Sequence, residues 1–178
     1  MSLRETYTTQ IVPKLKDALG IKNVLAVPRI IRVVVNIGVG KHFRDDKDID
    51  YIEKTMTRIV GQKPIRAKAK KSISSFKVRE GMVVGLVATL QGKRMYDFVE
   101  KLIHITLPRI RDFRGLDMKS VDSHGNFTIG FKEHIAFPEI GSDEVERIHG
   151  IEATIVTNAK TQERGLALFK ALGFPFKV

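Results

Sequence analysis

Apolar residues recur along this chain at two spacings, and each spacing predicts one kind of element. Recurrence every three to four residues predicts helices at 3–19, 46–60, 93–107 and from Thr161 to Gly173. Alternation of apolar and polar residues predicts strands at 29–37, 64–69, 82–90, 126–131 and 151–158. The stretch between the second and third of these strands follows neither spacing.

The order of these elements predicts the fold class. A strand, a helix, two strands and a helix succeed one another, and a later strand completes the split βαβ pattern of RRM and ferredoxin-like cores. We therefore expect one α+β domain over residues 1–178, with a mainly antiparallel sheet and helices packed on one face. An N-terminal helix at 1–20 precedes this core. A long basic hairpin loop at 70–81 protrudes from it.

The same alternation assigns side chains to faces. The first strand carries Arg32 and Asn36 on one face and four apolar residues on the other, namely Ile31, Val33, Val35 and Ile37. Strand 64–69 carries one apolar and one cationic face, Ile65, Ala67 and Ala69 against Arg66, Lys68 and Lys70. Residues two apart on a strand are separated by roughly 6.6 Å, close to the phosphate spacing of a nucleic-acid strand. The three cations are therefore spaced to follow a phosphate backbone, unless they only keep a solvated edge strand from aggregating.

The composition supports a folded core and excludes several classes of protein. Of the 178 residues, 43% are hydrophobic, which is enough to build a core. The absence of Cys excludes disulfides, thiol catalysis and Cys-ligated zinc. No apolar run has the length of a membrane span, and the N-terminus lacks the apolar region of a signal peptide. We expect a cytoplasmic protein without a membrane partner.

The net charge indicates a polyanionic partner. Lys and Arg number 31 against 20 Asp and Glu, which gives +11 and a pI of about 9.9. A basic surface that only aids solubility is the alternative. The charge is uneven, because residues 61–80 carry seven basic and one acidic side chain whereas residues 133–152 carry six acidic and one basic. Phosphates would repel the second segment, which is therefore either solvated or opposite a basic protein.

Two loops carry candidate contacts whose burial the sequence leaves open. The basic loop is longer than most hairpin connections, and its serines are suited to phosphate or ribose. Its Phe76 either stacks on a base or packs onto the core as an anchor. In PRIRDFRGL, residues 108–116, the side chains form an interaction loop if they are exposed. If they are buried, Ile110 and Phe113 join the core and Asp112 pairs locally.

No catalytic or metal-binding motif is recognisable. Neither an H-E-x-x-H helix nor a Ser–His–Asp order fits the candidates, which are His124, His134, His149, Asp122 and Glu133. His104 lies between apolar neighbours on a helix, so we expect it to be partly buried. Because nothing supplies a nucleophile, a base and an orienting group together, we expect no enzyme, no cofactor, no metal and no small-molecule substrate.

Six stretches in order resemble one family and cover nearly the whole chain. They are VPRI…VVNIGVG, GQKPIRAKAKKSISSFKVREG, TLQGKRMYDFVEKL, PRIRDFRGL, GNFTIGFKEHIAFPEI and the closing FPF. They resemble the bacterial form of large-subunit ribosomal protein five. Two details depart from the family pattern: VDSHGN stands where an aromatic residue and a Gly more often surround the Asp, and His134 replaces a common Gln.

The resemblance implies a non-catalytic protein that binds 5S ribosomal RNA and anchors it in the central protuberance, with a further contact to a large-subunit rRNA helix. It implies that Asn36 and Gln62 donate amide hydrogen bonds to the RNA and that Lys63 neutralises phosphate. The residues expected at rRNA are Lys14, Arg32, Asn36, Gln62, Lys63, Arg66, Lys68 and Thr89.

The resemblance also implies two partners that meet the large subunit from outside. The basic loop is expected to reach peptidyl-site tRNA through Lys70, Lys71, Ser72, Ser74, Phe76, Lys77 and Arg79. A basic small-subunit protein is expected at an intersubunit bridge formed by Arg109, Arg111, Asp112, Phe113, Arg114, Glu139, Asp143 and Glu144. Strand 64–69 would thus hold a fixed RNA, and the basic loop one that comes and goes.

A free RNA- or DNA-binding regulator is the main alternative to this interpretation. It would need an element that reads sequence, and the chain has no helix-turn-helix or zinc-finger spacing. It would also leave the acidic segment without a partner. A role at a membrane surface is weaker, because the N-terminal helix carries acids as well as bases on its polar face.

Overall fold

A computed structural model describes residues 2–39, 45–141 and 148–177. In these residues the strands are β1 Ile30–Gly38, β2 Ile65–Lys68, β3 Val83–Leu90, β4 Phe127–Phe131 and β5 Ile151–Thr157. The main helices are α2 Asp46–Val60, α3 Gly92–Lys101, α4 Gln162–Leu172 and an N-terminal helix, α1, that is built from Leu3–Thr6, a π-helical turn at Tyr7–Ile11, and Val12–Ala18.

The strands form one sheet in the order β2-β3-β1-β5-β4. Without β4, this order is that of the split βαβ core, in which β5 takes the place of the fourth strand. The predicted α+β class and antiparallel sheet are confirmed. β4 is added at the edge beside β5, and β2 forms the opposite edge.

The chain packs as two compact units. The first is drawn from Met1–Val33, Leu90–Ile129 and Ala153–Val178, and the second from Val34–Thr89 and Gly130–Glu152. That residues 1–178 act as a single RNA-binding domain stays a prediction.

An aromatic cluster forms the centre of the first unit. The ring of Phe127 lies 5.3, 5.4 and 5.9 Å from the rings of Phe169, Phe174 and Phe176. Beside it, Gly125 and Gly165 approach so closely that a Cβ on Gly165 would lie 2.6 Å from Gly125 Cα. Of the closing FPF stretch, Phe174 is therefore part of this core, and the half-buried Phe176 packs against it.

The amphipathic helix α2 closes the core of the second unit. Its inward side chains, Ile52, Met56 and Ile59, are at most 2% exposed, as are Ile37 of β1 and Leu86 of β3. The helix ends at Gly61, whose φ of 71° and N–H bond to Thr57 O (2.9 Å) make the left-handed cap that the sequence predicts.

The predicted boundaries of strands and helices agree with the structure within about one or two residues, except at two prolines. A π-helical turn precedes each of them, Tyr7–Ile11 before Pro13 and Leu102–Thr106 before Pro108. Helix α3 also continues beyond its π-helical turn as a 3-10 turn, Leu107–Arg109, although the sequence predicts that it ends at Pro108. A wider turn relieves the clash between a proline ring and the preceding carbonyl, so each helix passes through its proline.

One face assignment in β1 is only partly correct. Val33, Val35 and Ile37 are fully buried as predicted, whereas Ile31 is 47% exposed. Ile30 is the buried residue at the start of the strand, 4% exposed, so the predicted alternation fails for its first two residues.

Candidate nucleic-acid interface

The register of the β2–β3 pair determines which side chains of the edge strand face solvent. Ile65 pairs with Val87, Arg66 with Leu86 and Ala67 with Gly85. Paired residues share a face of the sheet. Leu86 is fully buried, whereas Ile65 is 74% exposed. The face that carries Ile65 is therefore the open face, and Arg66 lies on the opposite face, toward the core.

Arg66 is bound by carboxylates of α2. Its Nε donates to Glu53 Oε2 at 2.6 Å, and a terminal nitrogen donates to Asp50 Oδ1 at 2.5 Å. These two hydrogen bonds, that to Glu53 first, raise the pKa of Arg66 above its ordinary value. The alternation of this stretch identifies only its cations, and the sequence prediction missed Asp50 and Glu53 as their partners.

The turn between α2 and β2 brings Gln62 to the end of β3. Gln62 Nε2 donates to Thr89 O at 3.1 Å, and Pro64 is buried. Lys63 Nζ lies 3.5 Å from Glu53 Oε1, but the Lys63 side chain is 82% exposed. The turn thus presents an amide and an ammonium group beside the exposed Thr89.

Asn36 belongs to the same open face. A Cβ on Gly85 would lie 3.6 Å from Asn36 Oδ1, so the Asn36 side chain leans over Gly85. Gly85 pairs with Ala67, and Thr89 lies four residues further along the same strand, on the same face. The open face of the second unit therefore carries Asn36 beside Gly85 at one end and Gln62, Lys63 and Thr89 at the other, with Ile65 and Val87 between them.

The other cations predicted at rRNA are exposed, but they lie on different elements. Lys68 is exposed in β2 of the second unit. Lys14 of α1 and Arg32 of β1 are exposed in the first unit.

The basic loop, residues 70–81, is folded by its own hydrogen bonds. Ile73 and Val78 exchange both backbone bonds, at 2.9 and 3.1 Å, around a 3-10 turn at Ser74–Phe76. Lys77 follows in the left-handed conformation, with φ of 53°. At the base, Ser72 Oγ accepts the Glu80 N–H at 2.9 Å. Long as it is, the basic loop has a defined conformation.

The side chains of the basic loop face solvent. Phe76 is 63% exposed, so it does not pack onto the core, and of its two interpretations the stacking surface is the one that fits. The polar and cationic candidates are all exposed: Lys70, Lys71, Ser72, Ser74, Lys77 and Arg79. Ser72, Ser74, Lys77 and Arg79 also line one concave surface, together with Val78 and Met82.

The segments predicted at the bridge are partly exposed. The charged residues Arg109, Arg111, Asp112 and Arg114 are exposed, and Phe113 is half-buried, which favours the interaction loop. Glu139 is half-buried, and its carbonyl accepts a hydrogen bond from the Arg58 guanidinium at 2.7 Å. Asp143 and Glu144 lie outside the described residues.

The histidines do not form a metal site in the part of the chain that the structure describes. No group of three or more side chains of the ligating types is placed to hold a metal ion there. His134 and His149 are buried and stacked on each other, with ring centroids 3.9 Å apart. The prediction for His104 is wrong: it is exposed, because it lies outside the buried stripe that Leu102, Ile103 and Thr106 form on this helix. Among the described helices, none is long and apolar enough to cross a membrane.

Two family models match the chain in sequence. The one described as ribosomal protein L5 matches residues 23–79, and the one that describes the C-terminus of the same ribosomal family matches residues 83–176. The junction between the matches falls at the base of the basic loop.

Relatives of similar length carry one name, large ribosomal subunit protein uL5. The relative from Halothermothrix orenii is 51% identical over 98% of this chain and 97% of its own length. Those from Prochlorococcus marinus and Francisella tularensis subsp. novicida are 49% and 47% identical, over 99% and 98% of this chain and equal shares of their own.

Proposed function

This chain belongs to the ribosomal protein L5 family, and we propose that it binds 5S rRNA and helps to anchor it in the central protuberance. Membership makes it a structural constituent of the large ribosomal subunit and not an enzyme. The predicted place in that subunit is thereby confirmed.

The observation that carries the 5S proposal is that Asn36 lies at Gly85 of β3 while Gln62, Lys63 and Thr89 meet at the end of the same strand, all in the second unit. Two amides and a hydroxyl are suited to ribose and base edges, and the ammonium group to a phosphate. Beside Asn36, the small Gly85–Ala67 pair lets an RNA strand approach the backbone of the sheet closely. Lys14, Arg32 and Lys68 would add phosphate contacts, including those to a large-subunit rRNA helix.

A comparison of two RNAs tests this proposal. The protein would be titrated with 5S rRNA and with an unrelated structured RNA of equal length, across a salt series. We expect a preference for 5S rRNA that persists at physiological salt. Asn36→Ala and Gln62→Ala should each weaken 5S binding by about 5–10-fold, the effect of losing one hydrogen bond, and leave the unrelated RNA unaffected. Equal affinities that fall together with salt would overturn the proposal.

For the basic loop, we propose contact with peptidyl-site tRNA. Support comes from exposed cations, which bind phosphate without reading sequence, and from the exposed Phe76. The triple variant Lys71→Ala, Lys77→Ala and Arg79→Ala should weaken peptidyl-site tRNA binding in reconstituted ribosomes. Its affinity for 5S rRNA should stay that of the parent. If the triple variant no longer bound 5S rRNA, the division of labour between strand and loop would be wrong.

A bridge to a basic small-subunit protein completes the proposal. It is supported by the exposed charges of residues 109–114 and by the acidic composition of residues 133–152. Asp143→Lys with Glu144→Lys should weaken subunit association most at low salt, whereas an unchanged association constant would contradict it.

A further inference from the structure

Two carboxylates hold the cationic edge strand from the side of α2. Glu53, whose side chain is 12% exposed, accepts the Nε–H of Arg66 at 2.6 Å and lies 3.5 Å from Lys63 Nζ. Asp50, 56% exposed, binds the same guanidinium. The two carboxylates neutralise the guanidinium and engage its Nε and one terminal nitrogen. Because these carboxylates balance its charge, Arg66 attracts an RNA phosphate only weakly.

The edge strand β2 has few backbone contacts that would fix its position. β2 is four residues long and pairs with β3 only, and short edge elements open easily. Its pairing is irregular between Ala67 and Lys68. The Gln62–Lys63 turn leads directly into it, so any movement of β2 displaces the amide of Gln62 relative to Thr89.

We propose that Asp50, Glu53 and Arg66 form a carboxylate clamp that positions the Gln62–Lys63 turn for RNA recognition. Glu53 is the central positioning residue, because it binds Arg66 of the strand and Lys63 of the turn at once. Arg66 then serves the rRNA site through the clamp and not by touching RNA. This inference rests on the proposed 5S function.

The clamp and simple electrostatics predict opposite effects of removing an acid. By charge alone, loss of a carboxylate from a basic surface strengthens binding to every RNA. If Glu53 positions the turn, its loss weakens binding to the RNA that the turn recognises and still strengthens the rest. The preference between two RNAs, and not the affinity for one, is therefore the informative quantity.

The first experiment compares Glu53→Gln with Glu163→Gln, which makes the same change on an exposed residue of α4. Both would be titrated with 5S rRNA and with the unrelated RNA. We expect Glu53→Gln to reduce the preference for 5S rRNA by roughly three- to tenfold, the size of one displaced polar contact. Glu163→Gln should leave the preference unchanged.

The second experiment compares the salt dependence of Arg66→Gln and Lys63→Gln. A cation that contacts phosphate contributes roughly 0.7–0.9 to the slope of log K against log salt. Lys63→Gln should lower the slope by this amount, and Arg66→Gln should keep the slope of the parent while it reduces the preference. A reduced slope for Arg66→Gln would make Arg66 an RNA contact and overturn the clamp.

The outcomes separate this inference from the function on which it rests. If the parent protein shows no preference for 5S rRNA, both fail together. If the parent prefers 5S rRNA and Glu53→Gln strengthens binding to both RNAs equally, only the clamp fails. Should Glu53→Gln not fold by circular dichroism, Asp50→Asn removes the more exposed member of the clamp and is expected to reduce the preference in the same direction. An unchanged preference in Asp50→Asn would then overturn the clamp.

Discussion

The imidazole rings of His134 and His149 are stacked at 3.9 Å with an angle of 12° between them. His134 Nδ1 accepts the backbone N–H of His149 at 3.3 Å, and a protonated Nδ1 could not do so. Burial lowers the pKa of His134, and the nearby Glu133 carboxylate partly opposes the shift. The folded chain therefore keeps His134 neutral at a pH where the unfolded chain protonates it.

A pH dependence of stability follows from this residue. The free energy of unfolding has its full value above the pKa of about 6.5 that His134 has in the unfolded chain. It decreases as the pH falls toward the lower pKa of His134 in the folded chain. For one proton, the free energy of unfolding falls by up to about 1.4 kcal/mol per pH unit over this range. We expect His134→Phe to remove this dependence. Urea denaturation between pH 7.5 and 5 measures it, with the exposed His104→Gln as control. Equal pH dependence of parent and His134→Phe would contradict the expectation.

Gly125 allows two parts of the first unit to meet. Its φ is +82°, and a Cβ there would lie 2.6 Å from Ala159 Cβ and 2.7 Å from Thr161 O. Gly125→Ala should therefore destabilise by about 2–4 kcal/mol, through overpacking and a strained backbone. Gly130→Ala, where a Cβ meets nothing within 4 Å, is the matched control and should change stability by less than about 1 kcal/mol. Chemical denaturation of both variants checks this.

At the scale of elements, the two π-helical turns explain how helices containing proline keep their faces. The turn at Tyr7–Ile11 holds one residue more than an α-helix needs. Leu3 before it and Leu15 after it are both buried, and Tyr7 OH donates to Pro28 O at 2.9 Å. The additional residue is thus accommodated without rotating either end away from its contacts.

Removing the additional residue of the π-helical turn and replacing the proline that follows it should be tolerated. We expect deletion of Thr9 combined with Pro13→Ala to give a regular α-helix with both faces retained, and a free energy of unfolding within about 1 kcal/mol of the parent. Deletion of Lys14, which lies in the regular part of α1, rotates the following turn by about 100° and exposes Leu15, at a cost of about 2–5 kcal/mol. Similar losses in both variants would show that the π-helical turn has no such role.

At the scale of the whole molecule, the sequence predicts what depends on neighbours along the chain. Helix α2, its Gly61 cap and the strands follow from periodicity, so their boundaries are nearly correct. The partners of Arg66 lie 13 and 16 residues earlier, and no periodic signal identifies them. Burial of Phe76 could not be predicted either, because it depends on whether the basic loop folds back.

The basic loop should be separable from the rest of the molecule. Ala69 N donates to Met82 O at 2.8 Å, so these residues form the last paired position below it. Replacing residues 70–81 by Asn-Gly should give a two-residue hairpin, with stability within about 1 kcal/mol and an unchanged preference for 5S rRNA. Only tRNA binding should be lost. Thermal denaturation measures the stability, and the two-RNA titration measures the preference for 5S rRNA. A lost preference would contradict this separation.

The Ile73–Val78 bridge and the turn that it closes have a kinetic consequence. A segment that is already folded does not have to be ordered on encounter, so association is not slowed by a folding step and little entropy is lost on contact. Weak phosphate contacts on such a segment also dissociate quickly. In the proposed role, each arriving tRNA would be bound without waiting for the basic loop to fold and released without delaying the next step of elongation.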